Sequence, residues 1–168
     1  MSLIEEYSGS PAADQFANFY SVYNRTKAQQ RVGDLERACI FARTELKAAE
    51  VILCGQKAAG LWALLAAPAA DAVVADCNAL DLGDETKLLA PDVFFPGLLR
   101  ARGFETAAVL AAPNRLLLHN TGSQFRTIDI ERAYRGIGAR TSLQVSRTII
   151  ETDDLRNWLC APAGQSRK

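Results

Sequence analysis

Histidine is almost missing from this 168-residue chain, which has a single one, and its four cysteines form no Cys-x-x-Cys pair. A bound zinc ion needs several His, Cys or carboxylate ligands together, so we expect no metal site. Lys+Arg and Asp+Glu both number 19, and no basic cluster alternates with aromatic residues. This balance argues against nucleic acid as a partner. No apolar run approaches the roughly 20 residues that cross a bilayer, which argues against a membrane-spanning protein.

The cysteines also lack the pattern of a secreted disulfide framework. They lie on apolar helix or strand patterns, and the N-terminus has no basic stretch followed by an apolar one. A reducing, cytoplasmic compartment is therefore the expected location. The four are Cys39, Cys54, Cys77 and Cys160.

The length and composition predict one domain. Hydrophobic residues make up 49% of the chain and charged residues 23%, which is typical of a globular core. We assign residues 1–9 to a flexible N-terminus, 10–160 to the domain and 161–168 to a flexible tail. Ser10 and Pro11 predict the start of a helix with one aromatic face, consisting of Phe16, Phe19, Tyr20 and Tyr23.

Strand and helix patterns alternate after a second predicted helix at 26–46. Short β-rich runs occupy 51–54, 72–76, 115–119 and 143–150, with helical segments between them. Nearly continuous apolar runs are typical of parallel strands covered on both faces. The predicted fold is therefore α/β, with three layers: a parallel sheet of about four strands and helices on both faces.

The segment Val51-Ile-Leu-Cys-Gly-Gln-Lys-Ala-Ala-Gly60 predicts a strand, a sharp turn and a helix. In α/β-hydrolases this turn carries Gly-x-Ser-x-Gly, and the serine is the nucleophile. Here Lys57 occupies the serine position. A lysine that attacked an ester would form a stable amide and would not turn over.

Two later segments strengthen the likeness. Ala90-Pro-Asp-Val-Phe-Phe-Pro-Gly-Leu-Leu-Arg100 and Leu110-Ala-Ala-Pro-Asn-Arg-Leu-Leu-Leu-His-Asn120 resemble the later half of esterase-type α/β-hydrolases, the acetyl-xylan-esterase and dienelactone-hydrolase relatives. The resemblance implies half of an α/β-hydrolase-like fold, namely the family's fifth to eighth strands. It also implies an ancestry in carboxylic-ester hydrolysis. The family's first four strands have no counterpart.

The catalytic triad that the resemblance implies is incomplete in this chain. Its acid would follow the strand at 115–119, where Asn120 stands, and its histidine would follow the last strand, where the chain has no histidine. Asp129 fits better as a first-turn residue that complements a helix dipole. Cys54 lies inside a strand and is expected to pack as a small apolar side chain. The candidate crevice residues at the strand ends are Cys54, Ala58, Cys77, Asn78, His119 and Asn120.

Three functional hypotheses remain open from the sequence. The leading one is a catalytically degenerate hydrolase-like domain that forms homo-oligomers, preferably dimers, and serves as a structural or binding module. The second is an esterase of small carboxylic esters with an atypical site, in which Cys54 or Cys77 acts with His119. The third is a flavodoxin-like ligand binder, although no phosphate loop is present and no cofactor is expected. A small-molecule ligand is compatible with all three. The residues leave open whether the chain is a complete gene product.

Overall fold

The computed structural model describes residues 24–161. The predicted aromatic-faced helix, the predicted N-terminal segment 1–9 and almost all of the predicted tail lie outside the described residues. Within 24–161, no helix is long and apolar enough to cross a membrane.

Six α-helices and four strands make up the described part of the chain. The helices are α1 (Lys27–Thr44), α2 (Ala58–Leu65), α3 (Glu85–Leu88), α4 (Gly103–Leu110), α5 (Ile128–Gly136) and α6 (Thr152–Cys160). The strands are β1 (Ile52–Gly55), β2 (Ala72–Asp76), β3 (Arg115–His119) and β4 (Leu143–Val145). Short 3₁₀ turns at Ala67–Ala69 and Arg140–Ser142 precede β2 and β4.

The sheet is entirely parallel, and its strand order β1-β2-β3-β4 follows the chain order. Each strand is joined to the next through helical structure, as a parallel pairing requires. This arrangement confirms the predicted α/β fold. Among the described residues β1 pairs only with β2, so β1 and β4 are the two edges of the sheet.

The connecting helices and the last helix contact different faces of the sheet. Val73 and Leu118 point to one face, where they share the main core with Leu61 of α2, Phe104 of α4 and Tyr134 of α5. Arg115 points to the opposite face because side chains alternate along a strand. Its guanidinium stacks on the Trp158 ring of α6, 4.4 Å from the centroid. Helix α6 thereby forms the third layer.

Helix α1 begins where the sequence predicts it. The hydroxyl of Thr26 accepts a hydrogen bond from the Gln29 amide, and the Gln29 side chain accepts one from the Thr26 amide. This reciprocal capping box satisfies two amides that would otherwise lack partners at the start of the helix.

Two local predictions were wrong. The last strand was predicted to reach residue 150 but ends at Val145. The hydroxyl of Ser146 donates to the carbonyl oxygen of Thr148 (2.9 Å), and this local bond favours a turn over a longer strand. Cys54 is exposed rather than packed in the core, because β1 is an edge strand.

Candidate functional site

The sharp turn between β1 and α2, at residues 56–57, is strained, and we call it the elbow. Lys57, directly before the helix, has φ 52° and ψ −131°, a conformation that non-glycine residues rarely adopt. Holding a residue there costs on the order of 1–3 kcal/mol, so surrounding contacts must enforce it.

Two glycines allow the elbow to lie close against the sheet. A Cβ at Gly55 would overlap the backbone of Ala59, and a Cβ at Gly60 would overlap the backbone of Asp76. Helix α2 therefore approaches β1 and β2 at a separation that only glycine permits.

Asp76, the last residue of β2, holds the elbow in place. One carboxylate oxygen accepts from the Lys57 amide (2.9 Å). The other accepts from the Asn78 amide (2.7 Å) and the Asn120 side-chain amide (2.8 Å). The side chain of Asp76 thus links the carboxyl ends of three strands, and the residue is only 6% exposed.

The same hydrogen bonds set the charge of Asp76. Burial by itself raises the pKa of this carboxyl, but the donors from Lys57, Asn120 and Asn78 and the charge of His119 together hold the pKa below its ordinary value. Asp76 is therefore a carboxylate near neutral pH.

His119 stands opposite Asp76 in the β2–β3 register and is 4% exposed. Burial lowers the pKa of its imidazole, and the Asp76 charge offsets part of that effect. The ring is consequently neutral at pH 7. Within residues 24–161 its Nδ1 atom has no hydrogen-bond partner.

Backbone hydrogen bonds join the loops after β2, β3 and β4 beside Asp76 and His119. The Ala79 amide donates to the Asn120 carbonyl (2.7 Å), and the Asn120 amide donates to the Thr148 carbonyl (2.9 Å). Asn78, Ala79 and Asn120 all have positive φ. Together with Lys57 they concentrate backbone strain at the carboxyl ends of the strands. Ligand and active sites of open α/β sheets lie at these ends.

The structure brings together most of the candidates that the sequence indicated. Lys57, Asn78 and Asn120 contact Asp76, His119 is its neighbour on β3, and Ala58 follows the elbow as the first residue of α2. Asp76 itself was missed. The available signal was a single carboxylate at the end of the apolar run Ala72-Val-Val-Ala-Asp76.

The two cysteines near the site are placed differently. Cys77 is fully buried, and burial, followed by the Asp76 charge, raises the pKa of its thiol to about 12. A thiol with that pKa is protonated at neutral pH and is a poor nucleophile. Cys54 pairs in register with Val74, two positions before Asp76, and its residue is exposed.

Searches with this chain found no matching family model, no matching curated protein and no matching solved structure. The resemblance to the α/β-hydrolases therefore stays a prediction.

Within residues 24–161, the hydrogen bonds of Asp76 differ from those of the acid in a catalytic triad. An acid that orients a catalytic histidine accepts from its ring N–H, and the histidine then contacts a nucleophile. Here the oxygens of Asp76 accept from three amides instead. In the described part of the chain, no group of three or more His, Cys, Asp or Glu residues is placed to hold a metal ion.

Proposed function

We propose that this chain is a catalytically degenerate, hydrolase-like domain that serves as a structural or binding module and associates with a second copy of itself. The observation that carries the proposal is the use of the Asp76 carboxylate. All three of its hydrogen bonds hold the elbow and the adjoining loops, so the group acts in structure rather than in proton transfer.

The conformation of Lys57 supports the hydrolase-like part of the proposal. A nucleophile elbow places its central residue on a sharp, strained turn between strand and helix, and Lys57 occupies such a turn. The buried Cys77 thiol supports the absence of turnover, because a thiol that is protonated at neutral pH supplies no thiolate nucleophile.

An activated-ester assay tests the catalytic part. The assay uses p-nitrophenyl acetate in excess over protein. Lysines can be acylated once and release an initial burst of p-nitrophenol. After that burst, we expect the wild-type chain to release p-nitrophenol no faster than denatured protein does. Lys57→Ser should not create turnover, because the site still lacks a general base joined to the new hydroxyl. Lys47→Ser is the matched control, since Lys47 also has positive φ but lies in the loop after α1.

Repeated turnover by the wild-type chain that disappears in His119→Ala or Cys54→Ala would contradict the proposal. That result would favour the alternative, an esterase of small esters with an atypical site. A flavin or nucleotide that shifts the melting temperature would instead favour the flavodoxin-like alternative.

Among residues 24–161, β1 has a strand partner on one side only, and this open edge supports the proposed self-association. Exposed strand edges offer unsatisfied backbone donors and acceptors, and natural proteins usually pair or cover them. Cys54 is the exposed residue of this short edge strand. A second copy of the chain can cover the edge by continuing the sheet across a two-fold axis.

Light scattering with size-exclusion chromatography tests the dimer. At micromolar concentration we expect twice the 18.2 kDa chain mass for the wild type. Cys54→Lys should give the monomer, because a lysine on an edge strand disfavours strand addition. Gln144→Lys, at an exposed position on the opposite edge strand β4, is the matched control and should leave the dimer intact. A monomeric wild type would contradict self-association without bearing on catalysis.

A further inference from the structure

A separate cavity lies in the connection between β2 and α4, formed by residues 85–100. Its volume is about 250 Å³. The lining is almost entirely apolar, and its main contributors are Leu88, Leu89, Val93, Phe94, Leu98 and Leu99. Leu88 and Val93 are buried, whereas Leu89 and Leu99 are exposed at the rim.

The wall of this cavity is fastened to the rest of the domain. The Thr26 hydroxyl donates to the Phe94 carbonyl (2.8 Å), and the indole N–H of Trp62 donates to the Asp92 carbonyl (2.6 Å). Lys27 also forms an ion pair with Asp92 (2.6 Å). These bonds join the segment to α1 and α2, so the cavity is a preformed feature, as ligand sites usually are.

The lining also includes two charged residues, Glu85 and Arg100, both of which are exposed. Among the ion pairs formed within residues 24–161, neither of them takes part. A guanidinium offers a planar fork of N–H donors that matches a carboxylate, which makes Arg100 the group that selects a ligand by its charge. Glu85 contributes a carboxylate to the same lining, which repels any anion beside it and so favours a ligand carboxylate that lies at Arg100, away from Glu85.

The volume sets the size of the ligand. A dry apolar cavity of about 150 Å³ accepts benzene, which has six carbon atoms. By the same ratio a cavity of this size accepts about ten non-hydrogen atoms. We propose that the cavity binds a small apolar monocarboxylate, such as a medium-chain fatty acid, with its hydrocarbon part among the leucines and its carboxylate at Arg100.

Calorimetric titration of the full chain with octanoate, octanol and octylamine tests this proposal. We expect saturable binding of octanoate, with octanol and octylamine each weaker by about tenfold or more, the ratio that one charge-assisted hydrogen bond supplies. Arg100→Gln should weaken octanoate binding by a similar factor and leave octanol binding unchanged. Arg140→Gln, an exposed arginine outside the cavity, is the control and should change neither.

A second pair of variants tests the location. Leu89 and Leu110 are both 64% exposed, but only Leu89 lines the cavity. Leu89→Asp should abolish octanoate binding, and Leu110→Asp should preserve it. The proposal is overturned if octanoate does not bind, if octylamine or octanol binds as tightly, or if Leu89→Asp binds octanoate like the wild type. These outcomes do not depend on the ester assay or on the oligomeric state.

Discussion

Asp76→Ala is expected to destabilise the domain by about 3 kcal/mol or more, because it removes the acceptor of three hydrogen bonds at once. The three hydrogen bonds are partly buried, and each donor left without its partner costs on the order of 1 kcal/mol, the lower end of the range for buried groups. Since small domains have only about 5–15 kcal/mol of stability, urea unfolding followed by circular dichroism will detect the change readily.

Two further variants make this result specific. Asp76→Asn keeps the shape and one acceptor oxygen, so its loss of stability should lie between those of the wild type and Asp76→Ala. Asp129→Ala removes a half-exposed carboxylate that pairs with Arg132 on the surface of α5, and its cost should stay below about 1 kcal/mol. Equal costs for Asp76→Ala and Asp129→Ala would show that Asp76 does not hold the elbow.

The pH dependence of stability follows from the same contacts. The native pKa of Asp76 lies below its ordinary value of 3.8, so the unfolded chain takes up the proton first as the pH falls. The stabilisation from Asp76 is complete above pH 3.8 and disappears as the pH falls through the native pKa. Asp76→Asn should lack this acid-dependent loss.

His119 affects the stability of the domain in a higher pH range than Asp76 does. Burial lowers its native pKa below 6.5, so protonation favours the unfolded chain as the pH falls through 6.5. The contribution of His119 should persist in Asp76→Asn and disappear in His119→Gln, which separates the two groups in one series of unfolding measurements.

The sequence predicted the central strands better than the outer ones. The observed bounds of β2 and β3 equal the predicted ranges 72–76 and 115–119, because continuous apolar runs are required where a strand is covered on both faces. The edge strands carry a weaker signal. Cys54 has the same apolar character as a core residue, and only the strand order shows that it lies at an edge.

The sequence predicted most residues around the site but not Asp76, which they contact. The turn at Lys57 follows from a glycine and small residues after an apolar run, and His119 and Asn120 follow from their place at a strand end. The role of Asp76 depends on partners 19 and 44 residues away in the chain, at Lys57 and Asn120. No local pattern encodes such pairings, so they became visible only once the strands were in register.

Gly60→Ala is the second change with a large expected effect on stability. It should destabilise the chain, whereas a glycine-to-alanine change within a helix usually stabilises it. Alanine is favoured over glycine within a helix by about 1 kcal/mol. At Gly60, in the first turn of α2, the added methyl group would overlap the backbone of Asp76, which cannot move aside as a flexible side chain could. We expect a loss of more than about 3 kcal/mol or failure to fold, as in severe overpacking.

Two other glycines supply the controls. Gly33 lies within α1, where a Cβ would meet only the ends of Arg25 and Arg37 side chains, and a Cβ at Gly136 would meet nothing within 4 Å. Gly33→Ala should stabilise the chain by up to about 1 kcal/mol, and Gly136→Ala should not destabilise it. If Gly60→Ala behaves like these two in urea unfolding, the close approach of α2 to β2 is wrong.

The effects of Gly60 and Asp76 should also be coupled. The methyl group at position 60 would press on the backbone of Asp76, whose carboxylate holds the Lys57 amide, so both changes release the same elbow. Where each variant is stable enough to measure, Gly60→Ala together with Asp76→Asn should cost less than the sum of the two single changes. Strict additivity would mean that the helix contact and the carboxylate stabilise the domain independently, and that the elbow is not held as one unit.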